Sequence, residues 1–384
     1  MAFNKAEIGY LATHRSLIDE HTTGLELSKK SMLHDQKILR DTFGDFARSV
    51  TELVVARRSA TGKFPSHWLT DSDAAQQATP NEVSSYRASL LADAGATMVH
   101  DVTCSIGTEA PAVLEEGMRW LGSDLDESRL AMARANLGPR AWLARADALA
   151  PTSREGVIVA DPARRVGGRR ITDPAQLMPP LPDLLEAYPQ RELAVKCAPG
   201  IDYSDWDGLV SVVSVDGAVK EACLYTSGLG RGHRREAVLL GKHRETVTDA
   251  DEQEVPVHRP GRYIIEPDGA IVRAGLVRGW AAKHQLWMLD AHIAYVTGDA
   301  LPPGTSGFPF IEMVPMKKLK QALHAHGAGA IEILVRGVDV DPDQLRKKLK
   351  LKGNRSMGVV IARIGDGAVA YVCEAREHSD QLSA

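Results

Sequence analysis

Cysteine is scarce in this chain: four in 384 residues (Cys104, Cys197, Cys223, Cys373), widely spaced and never paired as Cys-x-x-Cys. That spacing argues against a zinc ribbon or a disulfide framework and suits a reducing cytoplasm. The histidines are scattered without metal-ligand spacing, so no metal site is expected. No uninterrupted apolar run reaches the roughly 18 residues of a membrane span. Residues 1–20 carry charges throughout and lack the apolar core of a signal peptide, which again points to the cytoplasm. There is no internal repeat and no low-complexity segment. The net charge of −4 leaves no global excess of cations, so any nucleic-acid surface must be local. What remains is a globular composition, 44% apolar and 25% charged, over a length that calls for two or three domains.

Four regions are expected: a helical N-terminal region over 1–90, an α/β domain over 91–245, a linker or intermediate segment over 246–308, and a small α+β domain over 309–384. In the first, Phe43, Phe46, Val50, Leu53 and Val54 share one face at helical spacing. Thr79-Pro80-Asn81-Glu82 reads as a helix start, with Thr79 as cap and Pro80 in the first turn. In the second, apolar runs at 98–102, 120–121, 157–160, 193–195, 210–215, 222–225 and 237–240 alternate at first with helical segments at 127–137 and 181–187. Strands alternating with helices predict a parallel, doubly wound sheet. The later strands lack helices between them, which predicts an antiparallel hairpin at one edge. Residues 242–260 are charged and aperiodic and read as a linker, Arg262-Tyr-Ile-Ile265 reads as a short strand, and Ala270–His284 reads as helical. The last region reads β-α-β-α-β-β, with strands at 310–314, 331–335, 359–364 and 369–373, helices at 316–326 and 342–351, and Asp341 as the second helix's cap.

The chemistry concentrates after the strands of the α/β region. Asp101-Val-Thr-Cys-Ser-Ile-Gly-Thr-Glu109 follows the first apolar run, and its Gly107 permits a tight turn that brings backbone N–H groups to a ligand. Asp124 ends the next strand, 17 residues on, where a carboxylate can accept from both ribose hydroxyls; Asp126 reads as the cap of the following helix. Asp147 follows a third strand and is either an adenine ligand or a solvated loop acid. Asp161-Pro162-Ala163-Arg164-Arg165 closes the run Val157–Ala160. Its proline fixes the chain direction, and its arginines suit phosphate or carboxylate. Val166-Gly-Gly-Arg169-Arg170 adds two more cations. Lys196, at the end of another strand, meets substrate phosphate or pairs with an acid such as Asp161 or Asp202. A glycine turn, an acid about twenty residues later and a strand ending in Asp-Pro fit S-adenosylmethionine-dependent methyl transfer better than a dehydrogenase.

A second feature lies near the C-terminal end. Leu345–Arg355 carries Arg346, Lys347, Lys348, Lys350, Lys352 and Arg355 with no acid among them, and Lys317, Lys318 and Lys320 sit on the preceding helix. A basic helix face on a small α+β domain is the electrostatic footprint of nucleic-acid binding; the alternative is an ordinary solvated helix.

Over roughly residues 60–376 the chain resembles bacterial class I methyltransferases with a THUMP-like C-terminal domain. The resemblance rests on Lys63-Phe-Pro65, Gln76-Gln-Ala-Thr-Pro80, Asp161-Pro-Ala-Arg-Arg165, Gly167-Gly-Arg-Arg170, Lys196-Cys-Ala-Pro-Gly-Ile201 and Arg336-Gly-Val-Asp339 with the following Leu345-Arg-Lys-Lys-Leu349. Thr79-Pro80-x-Glu82 is also similar to cap-trimethylguanosine synthases. The resemblance implies a Rossmann-like methyltransferase sheet, S-adenosylmethionine as cofactor and an RNA substrate. By position it puts Thr79 and Pro80 at the cofactor's methionine end. Asp101, Thr103, Cys104, Gly107 and Glu109 then line the cofactor loop, Asp124 with Leu125 meets the ribose, and Asp147 with Ala148 meets the adenine. Asp161, Pro162, Arg164 and Arg165 form the catalytic turn, and Arg169, Arg170, Lys196, Arg346, Lys347, Lys348 and Lys350 contact substrate. The pattern departs from the family at Ser105, where a glycine is usual, and at Glu109, where an aspartate is usual. The catalytic turn has Ala163 and Arg164 where amino-methylating enzymes have a second proline and an aromatic.

The expectation is a cytoplasmic methyltransferase that uses S-adenosylmethionine, with no metal, to modify RNA at a nucleobase. The alternatives are a methyltransferase for a small molecule or protein, and a non-catalytic RNA-binding protein with a degenerate cofactor fold.

Overall fold

The computed structural model describes residues 3–163, 165–166, 169–365 and 367–381. They form two compact units. The first comprises residues 1–210 and 221–232, the second 211–220 and 233–384.

The first unit is built on a sheet. Its strands are β1 (Met98–Asp101), β2 (Arg119–Asp124), β3 (Trp142–Arg145) and β4 (Val157–Ala160), then a two-strand ribbon of β5 (Arg165–Val166) and β6 (Arg169–Arg170), then β7 (Leu193–Cys197). Two longer strands, β8 (Leu209–Val215) and β9 (Ala218–Tyr225), each run from one unit into the other. In this unit the order is β3-β2-β1-β4-β7-β9. The first five strands are parallel and β9 is antiparallel to β7, as the missing helices between late strands predict. β1, β4 and β7 are buried along their whole length, which is why their apolar residues run together rather than alternate, with His100, Asp101 and Lys196 as polar exceptions. The β8–β9 connection is Asp216-Gly217 with φ of 48° and 76°, the left-handed pair a two-residue hairpin loop demands.

Helices Asn81–Asp93 and Ala110–Glu115 cover one sheet face through Ala88, Leu91 and Val113 against Val99, Val157, Val159 and Tyr225. The N-terminal helices bury Leu11, Ile18, Leu39, Val50, Leu53 and Trp68 in a second cluster that includes Ile106 of the loop after β1 and Met132 of helix Glu127–Leu137. The single helix expected through Phe43–Val54 is two, Met32–Phe43 and Ala47–Ser59. Gly44 takes a left-handed φ of 52° and a short 3-10 turn follows, so Phe46 leaves the common face and stacks on Tyr10 at 3.9 Å.

The second unit holds β8, β10 (Arg235–Leu240) and β11 (Glu245–Thr248), in the order β11-β10-β8. Its eight-stranded sheet combines β12 (Tyr263–Ile265), β13 (Trp287–Asp290), β14 (Ile293–Gly298), β15 (Ser306–Pro315), β16 (Ala328–Arg336), β17 (Arg355–Ile364) and β18 (Gly367–Glu374), with β19 (Glu377–His378) beside β15. The C-terminal order β-α-β-α-β-β agrees with its periodicity. Helices Leu319–Ala325 and Pro342–Leu349 lie on one face over Ile331, Ile333, Val359 and Val372, and Asp341 caps the second through the N–H groups of Asp343 and Gln344. The segment 246–308 is more ordered than a linker. It holds β12–β14 and two helices, Gly269–Ala274 and Val277–Lys283, divided at left-handed Gly275. Residues 242–260 likewise contain β11, which pairs with β10; only Val247 is buried in it, too little apolar signal for periodicity to register.

Candidate functional site

The loop after β1 has the geometry of a ligand turn. Gly107 has φ 87°, and a Cβ there would stand 2.6 Å from Leu137 Cδ1, so both backbone and packing select glycine. Ser105 also adopts a left-handed φ, 49°, an uncommon choice for a residue with a side chain. Two bonds hold it there. Its N–H donates to Asp124 Oδ2 at 2.9 Å, and its hydroxyl accepts from Arg129 Nη1 at 2.7 Å. The serine that stands where the family has glycine therefore takes a glycine-like conformation.

Asp124 ends β2 beside this loop. One carboxylate oxygen accepts from Ser105 N–H and the other from Asp126 N–H at 2.9 Å. An ionised carboxylate has about four lone-pair sites, so acceptor capacity remains for a diol. Asp126 caps helix Glu127–Leu137 through the N–H groups of Ser128 and Arg129. Leu125 between them is largely exposed. Beyond β3, Asp147 is exposed and accepts from Leu149 N–H, while buried Ala148 offers its carbonyl to Tyr188. This donor and acceptor set fits a nucleoside whose ribose faces Asp124.

Thr103 joins the loop after β1 to the Asp-Pro turn: its hydroxyl accepts from Asp161 N–H at 2.6 Å. Asp161 follows β4 with its side chain 24% exposed, and Pro162 is buried behind it. Ala163 donates to Met178 O at 2.8 Å, tying the turn to the segment before helix Leu181–Ala187. Arg164 lies outside the described residues, as do the side chains of Arg165, Arg169 and Arg170. The backbones of β5 and β6 pair antiparallel.

Behind the turn lies a network of buried charges. Lys196 Nζ stands 2.9 Å from Asp161 Oδ2 and 3.0 Å from Glu109 Oε1, and it donates to the Thr79 hydroxyl. Arg87 Nε donates to Glu109 Oε2 at 3.1 Å and its Nη1 to Glu221 Oε1 at 2.7 Å. Arg87, Glu109, Lys196 and Glu221 are all buried. Burial alone would push Glu109 up, but Arg87 and Lys196 outweigh it and bring it down to about 2. Burial works against the Lys196 ammonium too, yet Asp161 and Glu109 hold it above the ordinary lysine range. Asp101 differs. Burial pushes it up to about 8, the Glu109 charge adds to this, and its bond from Thr103 N–H is a long 3.2 Å.

Two sequence expectations change here. Thr79 does not cap helix Asn81–Asp93; the N-cap position is Pro80, one residue later, and the Thr79 hydroxyl is turned to Lys196 instead. Lys196 directs its three N–H donors at three protein oxygens, which leaves none for a substrate phosphate. Arg87, Arg129 and Glu221 escaped the sequence reading. Arg87 and Glu221 carried one signal, a charge within an otherwise buried segment, which requires a partner. The Arg87 Nη2 atom is buried with no hydrogen-bond partner among the described residues. Cys104 is buried in the loop, and all four cysteines are free thiols. A cavity of about 390 Å³ elsewhere in this unit, between Leu181, Leu185, Tyr203, Trp206 and Leu224, is lined by none of Asp101, Asp124 or Asp161.

In the second unit, Lys317, Lys318, Lys320, Lys347, Lys348, Lys350 and Lys352 are all exposed, and none has a partner among the described residues. The two flanking arginines are engaged: Arg346 with Asp343 at 2.5 Å and Arg355 with Glu374 at 2.5 Å. The tract is acid-free in sequence but not in space. Among the described residues, no three acid, histidine or cysteine side chains are placed to hold a metal, and no helix is long and apolar enough to cross a membrane.

Comparison with known proteins agrees with this geometry. Residues 305–375 match the THUMP domain-like family. Two strains of Mycobacterium tuberculosis each hold a relative named as an uncharacterized S-adenosylmethionine-dependent methyltransferase. Each is 46% identical over 358 residues, which cover 87% of this chain and 99% of the relative. A crystal structure from Porphyromonas gingivalis W83, described as a methyltransferase, shares the fold with a TM-score of 0.64 over 98% of this chain and 100% of its own, at 18% identity. Likeness over nearly the whole length of these relatives shows that the chain belongs to the S-adenosylmethionine-dependent methyltransferases, with a THUMP-like domain in its C-terminal part.

Proposed function

We propose that this enzyme methylates RNA at a nucleobase, with Asp161 at the reacting centre and the THUMP-like domain holding the RNA. The observation that carries the RNA reading is the set of seven exposed, unpartnered lysines on and beside the two helices of that domain. Unpaired surface cations cost little to keep and gain free energy by releasing counterions from a phosphate backbone. Arg346 and Arg355, each paired with an exposed acid, contribute less unless those weak pairs exchange for phosphate.

When bound, S-adenosylmethionine would supply a methyl group on a positively charged sulfur for direct displacement by the attacking atom, leaving a neutral thioether. Alignment is then the protein's main contribution. Asp124 with Leu125 is assigned to the ribose, and Asp147 with Ala148 to the adenine. Asp101, Thr103, Cys104, Gly107 and Glu109 shape the loop, and Thr79 and Pro80 flank the methionine end. Asp161 accepts a hydrogen bond from the attacking group, and Arg164, Arg165, Arg169 and Arg170 meet the RNA backbone. Thr103 supports this division, since it links the cofactor loop to the Asp161 turn through one short bond.

The test compares modified nucleosides in RNA from a deletion strain and its parent. One methylated nucleoside should disappear and return with the wild-type gene but not with Asp161→Ala. An unchanged nucleoside profile, with purified enzyme methylating a protein or small molecule instead, would overturn the RNA reading.

A further inference from the structure

The geometry points to Lys196 as a positioning residue that fixes the Asp161 carboxylate and locks the catalytic turn to the cofactor loop. The inference rests on the reading that Asp161 acts at the reacting centre. It goes beyond that reading by naming the device that holds Asp161 in place.

β7 is buried at all five positions, and Lys196 is its one charge. An unpaired ammonium there would not be tolerated, so its partners are part of the fold. It has three, each from a different stretch of chain. Thr79 precedes helix Asn81–Asp93, Glu109 lies at the end of the loop after β1, and Asp161 follows β4. One ammonium therefore ties the segment before the first helix of the sheet, the cofactor loop and the catalytic turn to a single point.

Each partner is itself restrained. Glu109 cannot swing away, because its other oxygen accepts from Arg87, and Arg87 is held in turn by Glu221 of β9. Thr79 is set by the segment before it. Lys63 donates to Ala75 O at 2.8 Å and Gln76 O at 2.9 Å, closing helix Ser72–Gln77 two residues ahead of Thr79. Asp161 is fixed at its backbone by Thr103 and at one carboxylate oxygen by Lys196. The described titratable and charged groups around this point are Asp101 from β1, Glu109, Arg87 and Glu221. With Lys196 removed, Asp161 and Glu109 would lose the cation they share.

The experiment compares Lys196→Met, Lys196→Arg and the double variant Lys196→Met/Glu109→Gln in the full chain. The double variant removes one charge of each sign, so no uncompensated glutamate is left buried if the single variant fails to fold. The first readout needs no substrate: ¹³C-carboxyl aspartate NMR across pH, with Asp161 assigned as the resonance missing from Asp161→Asn. Loss of the ammonium should move the Asp161 titration to higher pH in Lys196→Met and in the double variant, and Lys196→Arg should move it back toward wild type. The second readout is turnover on the methylated RNA: kcat should fall about 100-fold, the scale of a misplaced reacting group, with KM for RNA little changed. A purely structural lysine would lower the unfolding temperature and leave the Asp161 titration where it was; that result overturns the proposal. Equal loss through KM alone also overturns it, because Lys196 would then be a binding residue. If wild type methylates no RNA, the RNA reading fails while the NMR arm still decides the Lys196–Asp161 link. If Asp161→Asn keeps full turnover, the role of Asp161 fails and Lys196 has nothing to position.

Discussion

Replacing Asp101 with asparagine should make the protein more stable at neutral pH, by an amount that depends on pH. Asp101 is buried at the end of β1, and burial with the nearby Glu109 charge raises it from 3.8 to about 8. The native state therefore keeps a proton that the unfolded chain releases above 3.8. Between these two values stability falls as pH rises, by about 1.4 kcal/mol for each pH unit. Over the roughly three units from 3.8 to 7 the wild type gives up about 4 kcal/mol. Asparagine has the same shape, keeps an oxygen for the Thr103 N–H and never ionises. Asp101→Asn should thus exceed wild type in stability by up to about 4 kcal/mol at pH 7, and by under about 2 kcal/mol at pH 5. Urea unfolding of both proteins at pH 5, 6, 7 and 8 measures the gap. A gap that stays constant over this range would refute the reasoning, because it would mean that Asp101 ionises alike in the folded and unfolded states. A gap that widens toward acid would reverse the sign.

Three further outcomes follow from the same geometry. Asp124→Ala should weaken S-adenosylmethionine binding about tenfold or more in calorimetry. It should also cost the cofactor-free protein about 1–2 kcal/mol, because the N–H groups of Ser105 and Asp126 lose their acceptor. Gly107→Ala should lower stability by about 1–2 kcal/mol through its left-handed backbone and reduce cofactor affinity; adding Leu137→Ala should not restore it, since that relieves only the 2.6 Å approach and leaves φ at 87°. Replacing Lys347, Lys348 and Lys350 by alanine should weaken RNA binding and flatten the plot of log affinity against log salt by about 0.7–0.9 for each phosphate no longer neutralised. An unchanged slope would make those lysines an ordinary solvated face.

The parallel sheet was legible because its central strands are buried on both faces, so Met98-Val99, Val157–Ala160 and Leu193-Ala-Val195 are apolar runs with few competing signals. β3 was legible as a strand ahead of Asp147, but its own signal is weak: Trp142–Arg145 is a four-residue sheet-edge strand, Trp-Leu-Ala-Arg, whose tryptophan is exposed. β12 was legible as a short strand over Arg262-Tyr-Ile-Ile265, whereas β11, β13 and β14 were not, β11 because it buries only Val247. The C-terminal domain was readable from β15 to β18, since each of those helices and strands is long enough for its own period to show; the two-residue β19 was not.

The candidate site was legible where it is local in sequence. Gly107, Asp124 and Asp161 stand at or after strand ends within one stretch of chain, so order and spacing single them out. The buried network is assembled from residues 22 to 134 positions apart, and no spacing rule links Arg87 to Glu109 and Glu221. One physical rule still reaches it. A lysine inside a strand as apolar as Leu193-Ala-Val-Lys-Cys197 must find anions at the depth where it is buried. The acids available at the carboxyl ends of neighbouring strands are those of the cofactor loop and the Asp-Pro turn. Lys196 was therefore committed to the protein's own carboxylates before any substrate arrived. Its ion pairs with Glu109 and Asp161, with Arg87 bonded behind Glu109, are the result: of the two roles its place in the sequence allows, substrate ligand or partner of an acid such as Asp161, Lys196 takes the second and holds the aspartate of the Asp-Pro turn.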